Sequence, residues 1–283
     1  MSRIESPSSI TTYNACPRKY YYSYKLALPK KESISTLTGK AVHSALESFF
    51  KIDTSNINKY DFELILKHHV VKLFNDAWVT ALPELMKLEN DKETIRDHYH
   101  DSMFMLQNFI EDFLDSIKRS INGITFQEAF NKLKPQTEVY LYSEKHNVRG
   151  YLDAILNING EFYIMDYKTS SRDEVTDDYH LQLAIYTMMF KEKFNKLPNK
   201  VGLHFLRHGT KKFIDVNEGL IQEAAKQCEL IRLNTESEDI NDYPKNPGYY
   251  CKWKSGECSF YSNCFGVIKL SNFDNNLIEI KKE

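Results

Sequence analysis

The sequence predicts a mixed α/β fold: a mixed sheet flanked by helices, with a helical N-terminal insertion and a Cys-rich C-terminal segment. Three observations carry this. Before residue 135, apolar residues recur at helical spacing. After it, three successive segments alternate with period two and are rich in Val, Ile, Tyr and Phe. Two further helices and two further strands then follow, and the tail from 244 holds three of the five cysteines. A chain of 283 residues has ample material for a core. A single domain over 1–283 is expected, with a helical insertion at 51–134, a core at 135–233 and a cysteine segment at 244–266.

Taken in order, Ser8 or Ser9 can cap a short helix ending near Cys16, and Pro17 suits the first turn of a second, basic and tyrosine-rich helix over 17–26. Gly39 to Phe50 places Val42, Leu46, Phe49 and Phe50 on a helical stripe. Longer amphipathic helices are expected at 61–82 and 92–120. Strands follow at 136–143, 147–158 and 161–168, and Asn159-Gly160 is a strong signal for a two-residue hairpin. A helix at 178–194, strands at 200–207 and 211–216, and a helix at 217–233 complete the core.

Composition excludes several classes. With 37 Lys+Arg against 39 Asp+Glu the net charge is −2, so the chain is not uniformly basic. A local basic stripe beside an acidic site remains compatible with nucleic-acid binding. No run of about 18 apolar residues implies a membrane span, and the start lacks the apolar core of a secretory signal. A cytoplasmic, reducing compartment is expected, in which five cysteines are not a disulfide framework.

The chemistry concentrates in the hairpin. Phe162, Ile164, Asp166 and Lys168 share one side of their strand, so the carboxylate and the ammonium are neighbours. The tight turn brings Asp153 toward Asp166 across the ladder, with Glu138 on the preceding strand as a further acidic neighbour. Carboxylates at that range repel unless a cation sits between them. Oxygen ligands with an open site suit Mg²⁺ or Mn²⁺, and a lysine beside them can orient an attacking water, as hydrolysis of a phosphodiester requires. Taken alone, the pattern also fits a surface salt bridge at a strand end. Gln182 and Tyr186 are four apart and share a helix face, and His43 offers a nitrogen ligand.

Cys251, Cys258 and Cys264 lie within fourteen residues, and Cys16 precedes the core. Four thiolates suit tetrahedral Zn²⁺ or an iron–sulfur cluster, and residue chemistry leaves both open. Cys228 falls on an apolar helix face and reads as a core residue. Arg18, Lys19 and Lys25 interleaved with tyrosines, Tyr22 among them, combine charge with flat rings, as a single-stranded nucleic-acid surface needs. The alternative is that several of these rings pack into the core. Arg207, His208, Lys211 and Lys212 around Gly209 form a second candidate patch, or else a solvated turn.

Six pieces occur in order: SPSSITTYNACPRKYYY, GKAVHSALE, GYLDAI, IMDYKTS, QLAIY and the terminal cysteines, spanning 6 to 264. Together they resemble the RecB-like branch of the PD-(D/E)XK nuclease superfamily, and within it the CRISPR-associated RecB-like exonucleases that carry a four-cysteine iron–sulfur cluster. The resemblance implies a restriction-endonuclease-like core. It implies that His43, Asp153, Asp166 and the backbone carbonyl of Tyr167 are metal ligands, joined by Glu138, and that Lys168 is the catalytic lysine. It implies that Gln182 and Tyr186 form the QxxxY element that positions the lysine or the DNA. It also implies a [4Fe–4S] cluster on Cys16, Cys251, Cys258 and Cys264 rather than zinc. The six residues between Cys251 and Cys258 depart from the two that are usual.

The expected function is a Mg²⁺- or Mn²⁺-dependent deoxyribonuclease, an exonuclease on single-stranded DNA or DNA ends, in repair, recombination or CRISPR spacer processing. With no GxxxxGK[ST] motif, unwinding must come from a helicase partner. CRISPR adaptation proteins are the other partner class, although the 51–134 insertion favours the repair role. The alternatives are a non-catalytic DNA-end-binding subunit of a helicase–nuclease complex and an electron-transfer protein. Intact Asp153, Asp166 and Lys168 argue against both.

Overall fold

The computed structural model describes residues 3–253 and 256–266, and the rest of the expected 1–283 domain lies outside them. The sheet has five strands in the order β1-β2-β3-β4-β5: β1 (Gln136–Ser143), β2 (Val148–Ile158), β3 (Glu161–Lys168), β4 (Lys200–Phe205) and β5 (Thr210–Ile214). Only β3 and β4 pair in parallel, because α7 (Asp177–Phe194) carries the chain across between them. In the β2–β3 hairpin Ile158 pairs with Glu161. Asn159 and Gly160 have φ of 54° and 87°, the left-handed pair that such a turn requires.

Each face of the sheet has its own core. One is covered by α1 (Pro7–Ala15), α7 and α8 (Glu218–Asn234), with Leu152, Ile155, Ile164, Leu203 and Phe205 beneath them. The other carries α3 (Ile34–Phe49), α4 (Phe62–Leu88), α5 (Lys92–Ser120) and α6 (Phe126–Leu133), packed on Ala154 and Tyr167 through Phe49, Phe109 and Phe113. Burial of nearly all of α7 from Leu183 to Phe190 fits its place against the sheet. Gly150 lets it close in: a Cβ there would lie 2.9 Å from the Tyr186 ring.

Three boundaries differ from expectation. The helix expected to stop at 82 continues through Pro83 to Leu88. The missing Pro83 N–H frees the carbonyl of Val79, an exposed residue, where water can replace it. Helix α6, absent from the expected elements, is announced by Thr125 and Glu128, which form a capping box. Helix α3 begins at Ile34, five residues early, because the Ser33 hydroxyl accepts from the Thr36 amide. Among the described residues no helix is long and apolar enough to cross a membrane.

Candidate active site

The hairpin and α7 build one polar cluster. Lys168 Nζ lies 2.7 Å from Asp166 Oδ2 and donates to Gln182 Oε1 at 2.7 Å. Gln182 Nε2 donates to Asp166 Oδ1 at 3.1 Å and to the Tyr186 hydroxyl at 2.9 Å. The amide of Gln182 thus bridges base and acid, and one helical turn sets its distance to Tyr186. Tyr179, which no sequence motif singles out, places its ring 4.4 Å from the Lys168 ammonium. Asp166 is 3% exposed, so its charge depends on these partners.

Asp153 lies beside them. Its Oδ2 accepts from the Tyr167 amide at 2.7 Å and stands 3.6 Å from His43 Nδ1. Burial, and then the Asp166 charge, push its carboxyl up to about 8, against the pull of the Tyr167 amide. Burial also holds the His43 imidazole below its ordinary range, while Asp166 and then the Tyr167 backbone act in the opposite sense. Glu138 is raised by burial, then by Glu47 and Asp166. Asp153, Asp166 and Glu138 thus crowd one another around Lys168.

A strand irregularity gathers this cluster. Leu152 and Ile155 both face α7 and Ala154 faces the insertion, so the two-residue alternation slips by one at Asp153–Ala154. Opposite, between the pairs Thr137–Ala154 and Val139–Leu152, Glu138 has φ of 50°. A left-handed glutamate inside a strand is strained, and here it sits opposite Asp153 in the unbroken β1–β2 register. Glu47, one turn beyond His43 on α3, joins the acidic group. It was missed because only the packing of α3 on the sheet brings it there.

A model of the PD-(D/E)XK nuclease superfamily matches residues 5–265, taking in every residue of this cluster. The chain belongs to the PD-(D/E)XK nuclease superfamily. It is 24% identical over 257 residues to a subunit of the ATP-dependent helicase/deoxyribonuclease of Carboxydothermus hydrogenoformans, a match covering 80% of this chain and 22% of that protein. The chain thus spans about a fifth of that relative's length. A crystal structure of a candidate exonuclease from Eubacterium rectale superposes with a TM-score of 0.47 at 15% identity, covering 94% of each chain.

Superfamily members typically use a divalent ion. Asp166 Oδ2 is buried and accepts no hydrogen bond, although the Lys168 ammonium is near it. Asp153 and Glu138 are crowded acids, and the His43 imidazole stands beside Asp153. Hard oxygens with one imidazole are the donor chemistry that suits Mg²⁺ or Mn²⁺. Among the described residues no three His, Cys, Asp or Glu side chains close on one point. Asp166 is turned to Lys168 and Gln182, and Asp153 to His43 and the Tyr167 amide.

In this superfamily member Cys16, Cys251, Cys258 and Cys264 all line one cavity of about 300 Å³, walled also by Tyr249, Tyr250, Phe260, Tyr261 and Phe265. Burial, then the neighbouring Cys16, raises the Cys264 thiol. The long Cys251–Cys258 gap has a local explanation. Strands β6 (Lys252–Trp253) and β7 (Gly256–Glu257) fold it into a hairpin, and the Cys258 amide donates to the Cys251 carbonyl at 2.9 Å. Cys228 is buried in the α8 core, as expected, and burial pushes its thiol up to about 12.

The basic candidates fare differently. Tyr22 is 6% exposed, packs on Phe260 and donates to the Asn263 carbonyl, so its ring offers no face to a base. The Arg18 guanidinium donates to the Tyr243 carbonyl at 2.7 Å. Both thereby tie the N-terminal helices to the later part of the chain, the core-packing alternative for these rings. Lys19 is exposed at the rim of the cysteine cavity. Arg207 pairs with Asp101, and Lys211 with Asp112 at 2.6 Å, so two cations of the second patch are engaged with α5, while His208 and Lys211 stay exposed. Asn108 adds to this contact by donating to the Leu206 and Arg207 carbonyls.

Proposed function

We propose that this chain is a metal-dependent deoxyribonuclease cutting single-stranded DNA or DNA ends as an exonuclease. The observation that carries the reading is the Asp153–Asp166–Lys168–Gln182 cluster, acid and ammonium locked together by one amide. Asp153, Asp166, His43 and the Tyr167 carbonyl, with Glu138 nearby, would hold Mg²⁺ or Mn²⁺, which would supply Lewis acidity when bound. Lys168, as the ammonium paired with Asp166, orients the nucleophile and stabilises the negative charge that builds on it. Gln182 fixes the ammonium, Tyr186 and Tyr179 hold Gln182 and Lys168 in turn, and burial around Asp166 keeps competing water away.

The cysteine cavity supports a [4Fe–4S] cluster in preference to zinc. Soft thiolates from four cysteines in an aromatic wall suit it. The cluster ties helices at 7–25 to the 244–266 segment, which already share the Arg18–Tyr243, Tyr22–Asn263 and Ala15–Asn246 bonds. The description of the relative as a helicase/deoxyribonuclease subunit favours work beside a helicase over the CRISPR role.

The test is cleavage of 5′- and 3′-labelled single strands in Mg²⁺ or Mn²⁺. Asp166→Ala and Lys168→Ala should abolish cleavage while retaining DNA binding. Equal cleavage by wild type and Asp166→Ala would overturn the assignment.

A further inference from the structure

The sheet face opposite α7 is covered by the helical insertion at Ala154, Met165 and Tyr167, yet it is open at its β1–β2 end. There Tyr140, Tyr142 and Tyr151 are 46%, 43% and 56% exposed. Their strand neighbours Val139, Leu141 and Leu152 face the α7 core, so the tyrosines lie on the other side. Tyr140 and Tyr151 are cross-strand partners with ring centroids 5.2 Å apart. Tyr142 is paired with exposed Arg149. A water-facing strand surface is ordinarily polar, and here three half-exposed rings and a guanidinium form one continuous flat patch.

Position names the ligand. Tyr151 stands two residues before Asp153, and Tyr140 two residues after Glu138, about 7 Å along each strand. One or two nucleotides span that distance. A strand whose phosphate reached the acidic cluster and whose chain ran toward Arg149 would carry its neighbouring bases over these rings. We infer that Tyr140, Tyr151 and Tyr142, with Arg149, form a stacking platform for the unpaired bases of single-stranded DNA beside the scissile phosphate. The inference rests on the nuclease reading above and deepens it. Paired bases hide their faces in the duplex, so the platform selects single strands without reading sequence.

The test is equilibrium binding of a fluorescent oligothymidylate to the full chain in EDTA and raised salt, alongside an oligomer of the same length whose bases are removed. Tyr140→Ala and Tyr151→Ala should each weaken binding to the thymidylate about tenfold, and Tyr140→Phe and Tyr151→Phe should leave it near wild type. Wild type should bind the abasic oligomer as weakly as the double alanine variant binds the thymidylate, and the double variant should not distinguish the two. Equal binding of both oligomers by wild type overturns the platform even if an alanine variant fails to fold. So does unchanged affinity in a folded double variant, which would leave the face to a protein partner. If wild type cleaves single strands in Mn²⁺ while either result holds, only the platform falls. A wild type that neither binds nor cleaves removes the nuclease reading as well.

Discussion

Gln182 touches Lys168 and Asp166 with opposite ends of one amide: its carbonyl accepts from the ammonium and its NH₂ donates to the carboxylate. The side chain therefore fixes the separation of the acid and the lysine without being either.

Gln182→Ala should lower kcat about 10- to 100-fold with little change in KM, because the lysine remains but loses its aim. Gln182→Glu keeps the acceptor for Lys168 but sets a carboxylate against Asp166, so it should fail to rescue and should shift the pH profile of kcat upward. Single-turnover cleavage across pH reads both. A wild-type kcat in Gln182→Ala would exclude a positioning role.

Asp153→Asn should abolish cleavage yet stabilise the metal-free protein. The folded carboxyl sits at about 8, above its ordinary value, mainly through burial and then the Asp166 charge. The native state therefore holds this proton more tightly than the unfolded chain does, so stability falls as pH climbs from near 4 and the loss is complete above about 8. At pH 8.5 the variant should gain roughly 1–2 kcal/mol, a few degrees in Tm, and near pH 4 it should gain nothing. Melting curves in EDTA at the two pH values decide it, and a gain independent of pH would count against the crowding argument.

His204 should make the protein acid-sensitive. Its imidazole is 2% exposed, Nε2 has no hydrogen-bond partner among the described residues, and burial followed by the Lys211 charge pushes it down to about 4. The folded pKa is depressed, so protonation favours the unfolded chain. Stability present above about 6.5 is lost as pH falls toward 4, by on the order of 2–3 kcal/mol. His204→Phe should flatten that limb of the stability curve. An unchanged acid limb would point to the carboxylates instead.

Cys264→Ala should lower Tm and bleach visible absorbance in protein purified without oxygen, because the proposed cluster would close a loop of more than 230 residues between Cys16 and the tail. Cys228→Ala, a core change in α8, should leave the absorbance intact. Iron and sulfide analysis reads this directly. Full stability with no bound metal in the wild type would refute the cluster.

The parts legible in sequence are local. Asp166 and Lys168 are neighbours because strands alternate, Gln182 and Tyr186 because a helix turns every 3.6 residues, and Asn159-Gly160 because only two left-handed residues close so tight a turn. The parts that were hidden depend on packing between distant segments. Nothing near Arg207 or Lys211 announces that α5, about 100 residues earlier, supplies Asp101 and Asp112. Nothing near Tyr22 announces Phe260. The shift of alternation at Asp153 and the left-handed Glu138 are likewise invisible to a pattern of strict period two.

The β6–β7 hairpin changes what a cysteine spacing means. Because Lys252–Trp253 pairs with Gly256–Glu257, the backbones of Cys251 and Cys258 meet as though only a short stretch parted them. Extra length between two cysteines costs little where the added chain pairs with itself, so the order of cysteines along the polypeptide is a firmer signature than the count between them.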